Sequence, residues 1–167
     1  GSFYYVMELL DGLDLQRLVE RYGPLPAERA IFLLRQVCHS LAEAESHGLV
    51  HRDIKPANLF VCRYGGEHDF VKVLDFGIAK GNPEVMETGA IAIGVTRDNI
   101  VQGTPAYIAP EQAMGAPVDS RADIYATGCV AYFMLTGKPV FAGDSAMAVV
   151  VHHAKTPPPA PSASSEL

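Results

Sequence analysis

The stretch His51-Arg52-Asp53-Ile54-Lys55-Pro56-Ala57-Asn58 sets a carboxylate, an ammonium and an amide within eight residues, a set that packing alone does not require. A carboxylate at Asp53 can accept a proton from an attacking hydroxyl, the Lys55 ammonium can neutralise a phosphoryl oxygen, and the Asn58 amide oxygen can bind Mg²⁺. Pro56 stiffens the turn between them. Downstream, 59–62 and 70–74 read as two short strands joined by a polar turn over 63–69, and the second delivers Asp75-Phe76-Gly77. Such a hairpin returns Asp75 beside Asp53 and Asn58. Carboxylate and amide oxygens converging in this way suit a magnesium ion whose remaining ligands are phosphate oxygens.

Working outward toward the start, the aromatic and β-branched residues 3–7 predict a buried strand, and 8–12 turn out of it. A short helix is expected over 13–22, closed by Gly23-Pro24, and Pro26 opens a longer one that ends at Gly48. In that helix Ile31, Leu34, Val37, Cys38, Leu41 and Ala42 recur at three- and four-residue spacing and predict the core-facing stripe. Toward the other end, 75–111 is irregular and dotted with glycine, the mark of a functional or disordered loop. Asp119 or Ser120 then caps a buried helix running to about Leu135, stopped by Gly137 and Pro139. Asp123 lies in its first turn, where a carboxylate is worth about 0.3–1 kcal/mol as a helix-terminus charge alone. A short helix over 145–153 precedes a proline-rich stretch, 156–162, that reads as a flexible or polyproline tail.

With these motifs in this order, essentially the whole chain resembles bacterial serine/threonine protein kinases of the eukaryotic type. The fold implied is α+β: the mainly helical large lobe with short β-hairpins, residues 1–12 being the last small-lobe strand and hinge and 13–167 an incomplete large lobe. The resemblance implies transfer of the ATP γ-phosphoryl group, with Mg²⁺, to Ser/Thr hydroxyls of proteins, Asp53 acting as base, Lys55 and Thr104 assisting, and Asn58 and Asp75 holding metal. It sets Met7 at the back of the adenine pocket, backbone groups of Glu8 and Leu10 on the adenine edge, Phe60 beneath the ring and Asp14 toward the ribose. His51 and Phe76 would stack, Gly77 completes the metal motif, and the Asp123 carboxylate would accept backbone N–H groups of the 51–58 turn. Gly103 to Glu111 resembles the substrate-binding end of an activation segment. In it Thr104 lies near Asp53 and Lys55, and Pro105, Ala106 and Tyr107 shape the floor for the residue after the phosphoacceptor. Arg52 would pair with a phosphorylated residue, Thr96 in preference to Thr88, and Glu111 with an arginine of later helices.

The pattern is incomplete. The glycine-rich phosphate loop, the strand lysine and its partner glutamate are not found, and Arg121 sits too early to be the partner of Glu111. The small lobe is expected to be almost entirely absent and the final helices missing. A fragment of this kind is expected to be inactive alone, with an exposed apolar underside that favours kinase–kinase association. Two other classes stay open: a kinase-derived non-catalytic scaffold, against which Asp53, Asn58 and Asp75 all speak, and a small-molecule phosphotransferase, which would not need Lys55 or Ala109-Pro110-Glu111.

Composition narrows the partners. A net charge of −6 gives no basic footprint for nucleic acid or an anionic membrane. The apolar run from Ile124 to Leu135 is too short to span a bilayer, so no membrane contact is expected within this segment. Cys38, Cys62 and Cys129 lack paired spacing, which predicts reduced, buried thiols in a cytoplasmic chain.

Overall fold

The computed structural model describes residues 6, 8–76, 94–95, 101–102 and 105–163. Strand β1 (Gly12–Asp14) leads without a loop into helix α1 (Leu15–Tyr22), because Asp14 is both the last strand residue and the N-cap, its Oδ1 accepting from the Arg17 N–H at 2.8 Å. Helix α2 (Ala27–Ser46) follows Pro26, which occupies the N-cap position with an extended ψ of 144° rather than the first helical turn. Its other end is a Schellman turn: Gly48 (φ 72°) and Leu49 donate to the Glu45 and Ala44 carbonyls at 2.8 and 2.9 Å. That turn redirects the chain into 50–58.

Strands β2 (Leu59–Tyr64) and β3 (Glu67–Val73) form a hairpin, and β1 adds to the far side of β2, giving an antiparallel sheet in the order β1-β2-β3. The turn is shorter than the sequence reading expects. Tyr64 pairs with Glu67 and only Gly65-Gly66 lies between, both at positive φ (59° and 100°), a pair that no side chain but glycine adopts at low cost. β1 approaches β2 so closely that a Cβ on Gly12 would lie 2.1 Å from the Val61 carbonyl oxygen. A two-residue ladder, β4 (Gly94–Val95) with β5 (Val101–Gln102), lies within the irregular segment. Then come a 3₁₀ turn (Pro105–Tyr107) and helices α3 (Pro110–Ala113), α4 (Arg121–Thr136) and α5 (Ala146–Lys155). The proline-rich end closes in another 3₁₀ turn, Pro161–Ala163.

The core is built on α4, whose Val130 and Met134 are fully buried and pack with Leu15, Leu18 and Val19 of α1, with α2, and with Ile54, Leu59, Val61 and Val71. The Leu25 N–H donates to the Met134 carbonyl at 2.7 Å, tying the α1–α2 connection to that helix. The stripe of α2 differs from the one expected. Ala30, Leu33, Val37, Leu41 and Ala44 face the core, whereas Ile31 is 67% exposed and Cys38 and Ala42 face solvent. The rotation has a cause outside the apolar pattern. Arg29 and Gln36, on the buried side of α2, bond to β3: Arg29 grips the Asp69 carboxylate with two nitrogens at 2.7 and 2.9 Å, and Gln36 donates to the Asp69 carbonyl (2.8 Å) and accepts from the Val71 N–H (3.0 Å).

Two smaller expectations are corrected with it, and a third is narrowed to one of its two candidates. Of the three thiols, Cys62 and Cys129 are buried but Cys38 is exposed on α2. Val6, expected within a buried strand, is 88% exposed and pairs with no strand among the described residues; the rest of that strand, Met7 included, lies outside them. Ser120 occupies the N-cap of α4 without capping it, its hydroxyl donating instead to Glu45 of α2, while Asp119 accepts the Arg121 N–H at 3.0 Å. No helix among the described residues is long and apolar enough to cross a membrane.

Candidate active site

The turn from His51 to Asn58 is held from below by α4 and from the side by the hairpin. Asp123, buried in the first turn of α4, accepts the His51 N–H with Oδ2 and the Arg52 N–H with Oδ1, both at 2.8 Å. Burial pushes this carboxyl above the usual range, and the two N–H groups pull the other way. Arg52 sits in the left-handed region at φ 64°, a conformation costly for a side chain of this size. Its carbonyl is held by the Gln112 amide at 3.1 Å, and that same side chain accepts from the Ala109 N–H at 3.1 Å.

His51 is fully buried with both ring nitrogens engaged. Nε2 donates to the Leu74 carbonyl (2.9 Å) and Nδ1 accepts from the Asp53 N–H (3.2 Å), which fixes the tautomer. Its ring lies 4.7 Å from that of Phe76, tilted by 45°. The Leu74 N–H in turn donates to the Asn58 carbonyl at 2.8 Å. Two bonds to one residue therefore lock the end of the hairpin to both ends of the turn, with Asp75 next along the chain, exposed and at φ 54°.

On the open side of the turn the polar groups gather about Asp53. Lys55 Nζ lies 2.9 Å from Asp53 Oδ2, each side chain 24% exposed. Pro56 begins the 3₁₀ turn Pro56–Asn58, which is buried at Pro56 and at Asn58. Asn58 Nδ2 donates to the Asp53 carbonyl (2.9 Å) and to Oδ2 (3.3 Å). With the NH₂ so occupied, the amide oxygen of Asn58 is the atom left to coordinate a cation. One amide oxygen and one nearby carboxylate fit Mg²⁺ that completes its shell with phosphate oxygens and water.

The nucleotide-facing residues of the sequence reading are less concentrated. Phe60 is half-buried on β2 directly opposite Asp14, whose carboxylate is occupied at the start of α1 and lies 3.3 Å from Arg17 Nε. Leu10 is half-buried, and the exposed Glu8 carboxylate pairs with Lys72 of β3. Gly77, Thr88, Thr96 and Thr104 lie outside the described residues. Glu111 is half-buried in α3, while Arg121 spends its charge on Asp119 at 2.9 Å in full view of solvent.

Sequence reasoning missed three positioning contacts. Gln112 carries a usable signal, since it stands two residues after Pro110 at the start of a helix, where a Gln reaches back to the N-cap N–H. The Gln36 bridge and the Lys72–Glu8 pair join residues 33 or more apart and have no local signature.

The protein kinase domain profile matches residues 1–165. The chain is 43% identical over 159 residues to the serine/threonine-protein kinase PknB of Mycolicibacterium smegmatis, covering 95% of this chain and 24% of that protein. It is 46% identical over 160 residues to the serine/threonine-protein kinase Pkn1 of Myxococcus xanthus, covering 95% and 22%. Among solved structures, the Mycobacterium tuberculosis PknI kinase domain superposes with a TM-score of 0.66 at 26% identity, over 95% of this chain and 50% of that one. The chain thus spans about a quarter of the length of these curated relatives.

Proposed function

Because the chain belongs to the protein kinase domain family, we propose that it supplies the catalytic large lobe of a serine/threonine protein kinase, with residues 1–12 as strand and hinge. The observation that carries this reading is the lock at Leu74, which joins the His51–Asn58 turn to the strand that leads into Asp75. In the reaction proposed, a substrate Ser/Thr hydroxyl gives its proton to the Asp53 carboxylate as its oxygen bonds to the γ-phosphorus; the bond from that phosphorus to the bridging oxygen breaks and ADP leaves. Lys55, already within ion-pair reach of Asp53, steadies the negative oxygens of the transferring group. Asn58 and Asp75 would hold Mg²⁺, which when bound neutralises phosphate charge and orients the chain of phosphates. Asp123 and His51 keep the turn rigid, so that the hydroxyl and the phosphoryl group meet in line.

Around this centre, backbone groups of Glu8 and Leu10 would take the adenine edge, with Met7, Phe60 and Asp14 completing the nucleotide contacts. Thr104 would steady the substrate hydroxyl beside Asp53. Residues 105–107 would form the floor for the amino acid that follows the phosphoacceptor. Arg52 supports a regulated activation segment: its Nε is buried with no hydrogen-bond partner among the described residues, a state that a phosphate on Thr96 would relieve. The test is transfer of γ-phosphoryl label from ATP to a generic protein by the full-length protein, followed by phosphoamino-acid analysis. Label on Ser and Thr that vanishes in Asp75→Ala is the expected result. Label on tyrosine only, or transfer that survives Asp75→Ala, overturns the reading.

A further inference from the structure

The peptide unit that joins Arg52 to Asp53 is pinned at both ends. Its N–H donates to His51 Nδ1 at 3.2 Å, and its carbonyl oxygen accepts from Gln112 Nε2 at 3.1 Å. On the other side of Arg52, its own N–H goes to Asp123 Oδ1 at 2.8 Å. Arg52 sits at φ 64°, a backbone state that persists only where its neighbours determine it. A peptide unit is planar, so bonds at both of its ends fix its rotation and with it the direction in which the Asp53 side chain leaves the backbone. Of the two bonds, the one to His51 is local and the one to Gln112 comes from α3.

The grip of Gln112 has a fixed sense. The Ala109 N–H can be met only by the amide oxygen, Oε1, at 3.1 Å, and this turns the NH₂ toward the Arg52 carbonyl. The base from which it reaches is firm. The Ala113, Met114 and Ala116 N–H groups donate to the Ala109, Pro110 and Glu111 carbonyls at 2.9, 3.0 and 2.9 Å, Ala109 is fully buried, and α3 packs on α4 and α5. We infer that Gln112 is a positioning residue for phosphoryl transfer: from α3 it holds the Arg52 carbonyl, orients the peptide that carries Asp53, and so ties that carboxylate to the chain that follows the irregular segment. The inference rests on the reading that Asp53 takes the proton of the substrate hydroxyl. Gln112 reaches the reacting atoms only through Asp53, so its loss slows transfer and leaves nucleotide and peptide binding in place. Capping α3 needs only the side-chain oxygen, whereas this role needs the NH₂, and the two are separable by substitution.

The test is steady-state kinetics of the full-length protein with a Ser/Thr peptide, together with ATP binding at equilibrium and thermal unfolding. Gln112→Glu keeps an oxygen for the Ala109 N–H but sets it against the Arg52 carbonyl without a donor. Gln112→Met keeps the length of the side chain and loses both bonds. Each should lower kcat about tenfold, the scale of one hydrogen bond, with the ATP Kd and the peptide KM unmoved. Full kcat in Gln112→Glu overturns the inference and leaves a helix cap alone; full kcat in Gln112→Met overturns it by removing any part in the rate. Equal worsening of kcat, ATP Kd and peptide KM with a lowered Tm overturns it too, as the pattern of general loosening. Asp53→Asn, measured beside them, separates the two layers. If it abolishes transfer while neither Gln112 variant slows it, only the role of Gln112 falls; if Asp53→Asn transfers normally, the assignment of the base falls and this inference with it.

Discussion

Asp123 uses both carboxylate oxygens on two backbone N–H groups of one turn, so a residue of lesser acceptor capacity leaves one donor bare. Asp123→Asn should therefore cost about 1–3 kcal/mol of stability, the penalty for an unsatisfied buried donor, and should lower kcat through displacement of Asp53. Denaturant unfolding checks the first; an unchanged midpoint would mean that the turn is held chiefly by His51 and Gln112. Arg52 is the second case at this scale. Its backbone is strained and its Nε has no partner among the described residues, which is the state expected of a receptor for charge. In the full-length protein Thr96→Ala should lower activity and Thr88→Ala should change it little. Mass spectrometry that finds phosphate at Thr88 alone would overturn that choice. The gathering of Asp53, Lys55 and Asn58 at one turn was legible because eight consecutive residues carry it. The duty of Asp14 as an N-cap was legible in principle and overlooked, since an Asp followed at once by an apolar helical pattern is an ordinary start signal.

Helix α2 shows why an element can be recognised while its facing is misjudged. Ile31, Phe32, Leu33 and Leu34 are all apolar, so the pattern admits two stripes that share Val37 and Leu41. Tertiary hydrogen bonds choose between them: Arg29 and Gln36 must reach β3, and this turns Leu33 inward and Ile31 out. The Gln36 amide acts as a substitute strand at the free edge of β3, the strand that runs on to Asp75. Gln36→Ala should cost about 1–2 kcal/mol, two modest hydrogen bonds. Gln36→Glu should cost more, because it keeps the acceptor for Val71 but loses the donor to Asp69. Equal stability of Gln36→Ala and the unaltered protein, by denaturant midpoint, would remove the clamp. The hairpin itself was half legible: both strands were foreseen, but Gly65-Gly66 was absorbed into a longer turn although two glycines between β-rich runs are a hairpin signal.

At the scale of the whole molecule, three segments distant in sequence meet at one turn: the Asn58–Leu74 hairpin end, Gln112 after the irregular segment, and Asp123 on α4. The hairpin end followed from the strand pattern and the Asp123 contact from the resemblance, whereas the bond from Gln112 to the Arg52 carbonyl, which spans 60 residues, was missed. In the function proposed, the site is one face of a nucleotide cleft. With the phosphate loop and its lysine proposed to lie outside residues 1–167, this segment expressed alone should bind ATP weakly and transfer no phosphoryl group to a generic protein. Transfer by the isolated segment, abolished in its Asp75→Ala form, would contradict that division of labour. The central claim is that Asp53 takes the proton of the substrate hydroxyl in a centre that otherwise binds nucleotide normally. Its direct measurement compares full-length protein with its Asp53→Asn form, by ATP binding at equilibrium and by single-turnover phosphoryl transfer. The account predicts retained ATP binding with transfer all but lost; near-normal transfer by Asp53→Asn would contradict it.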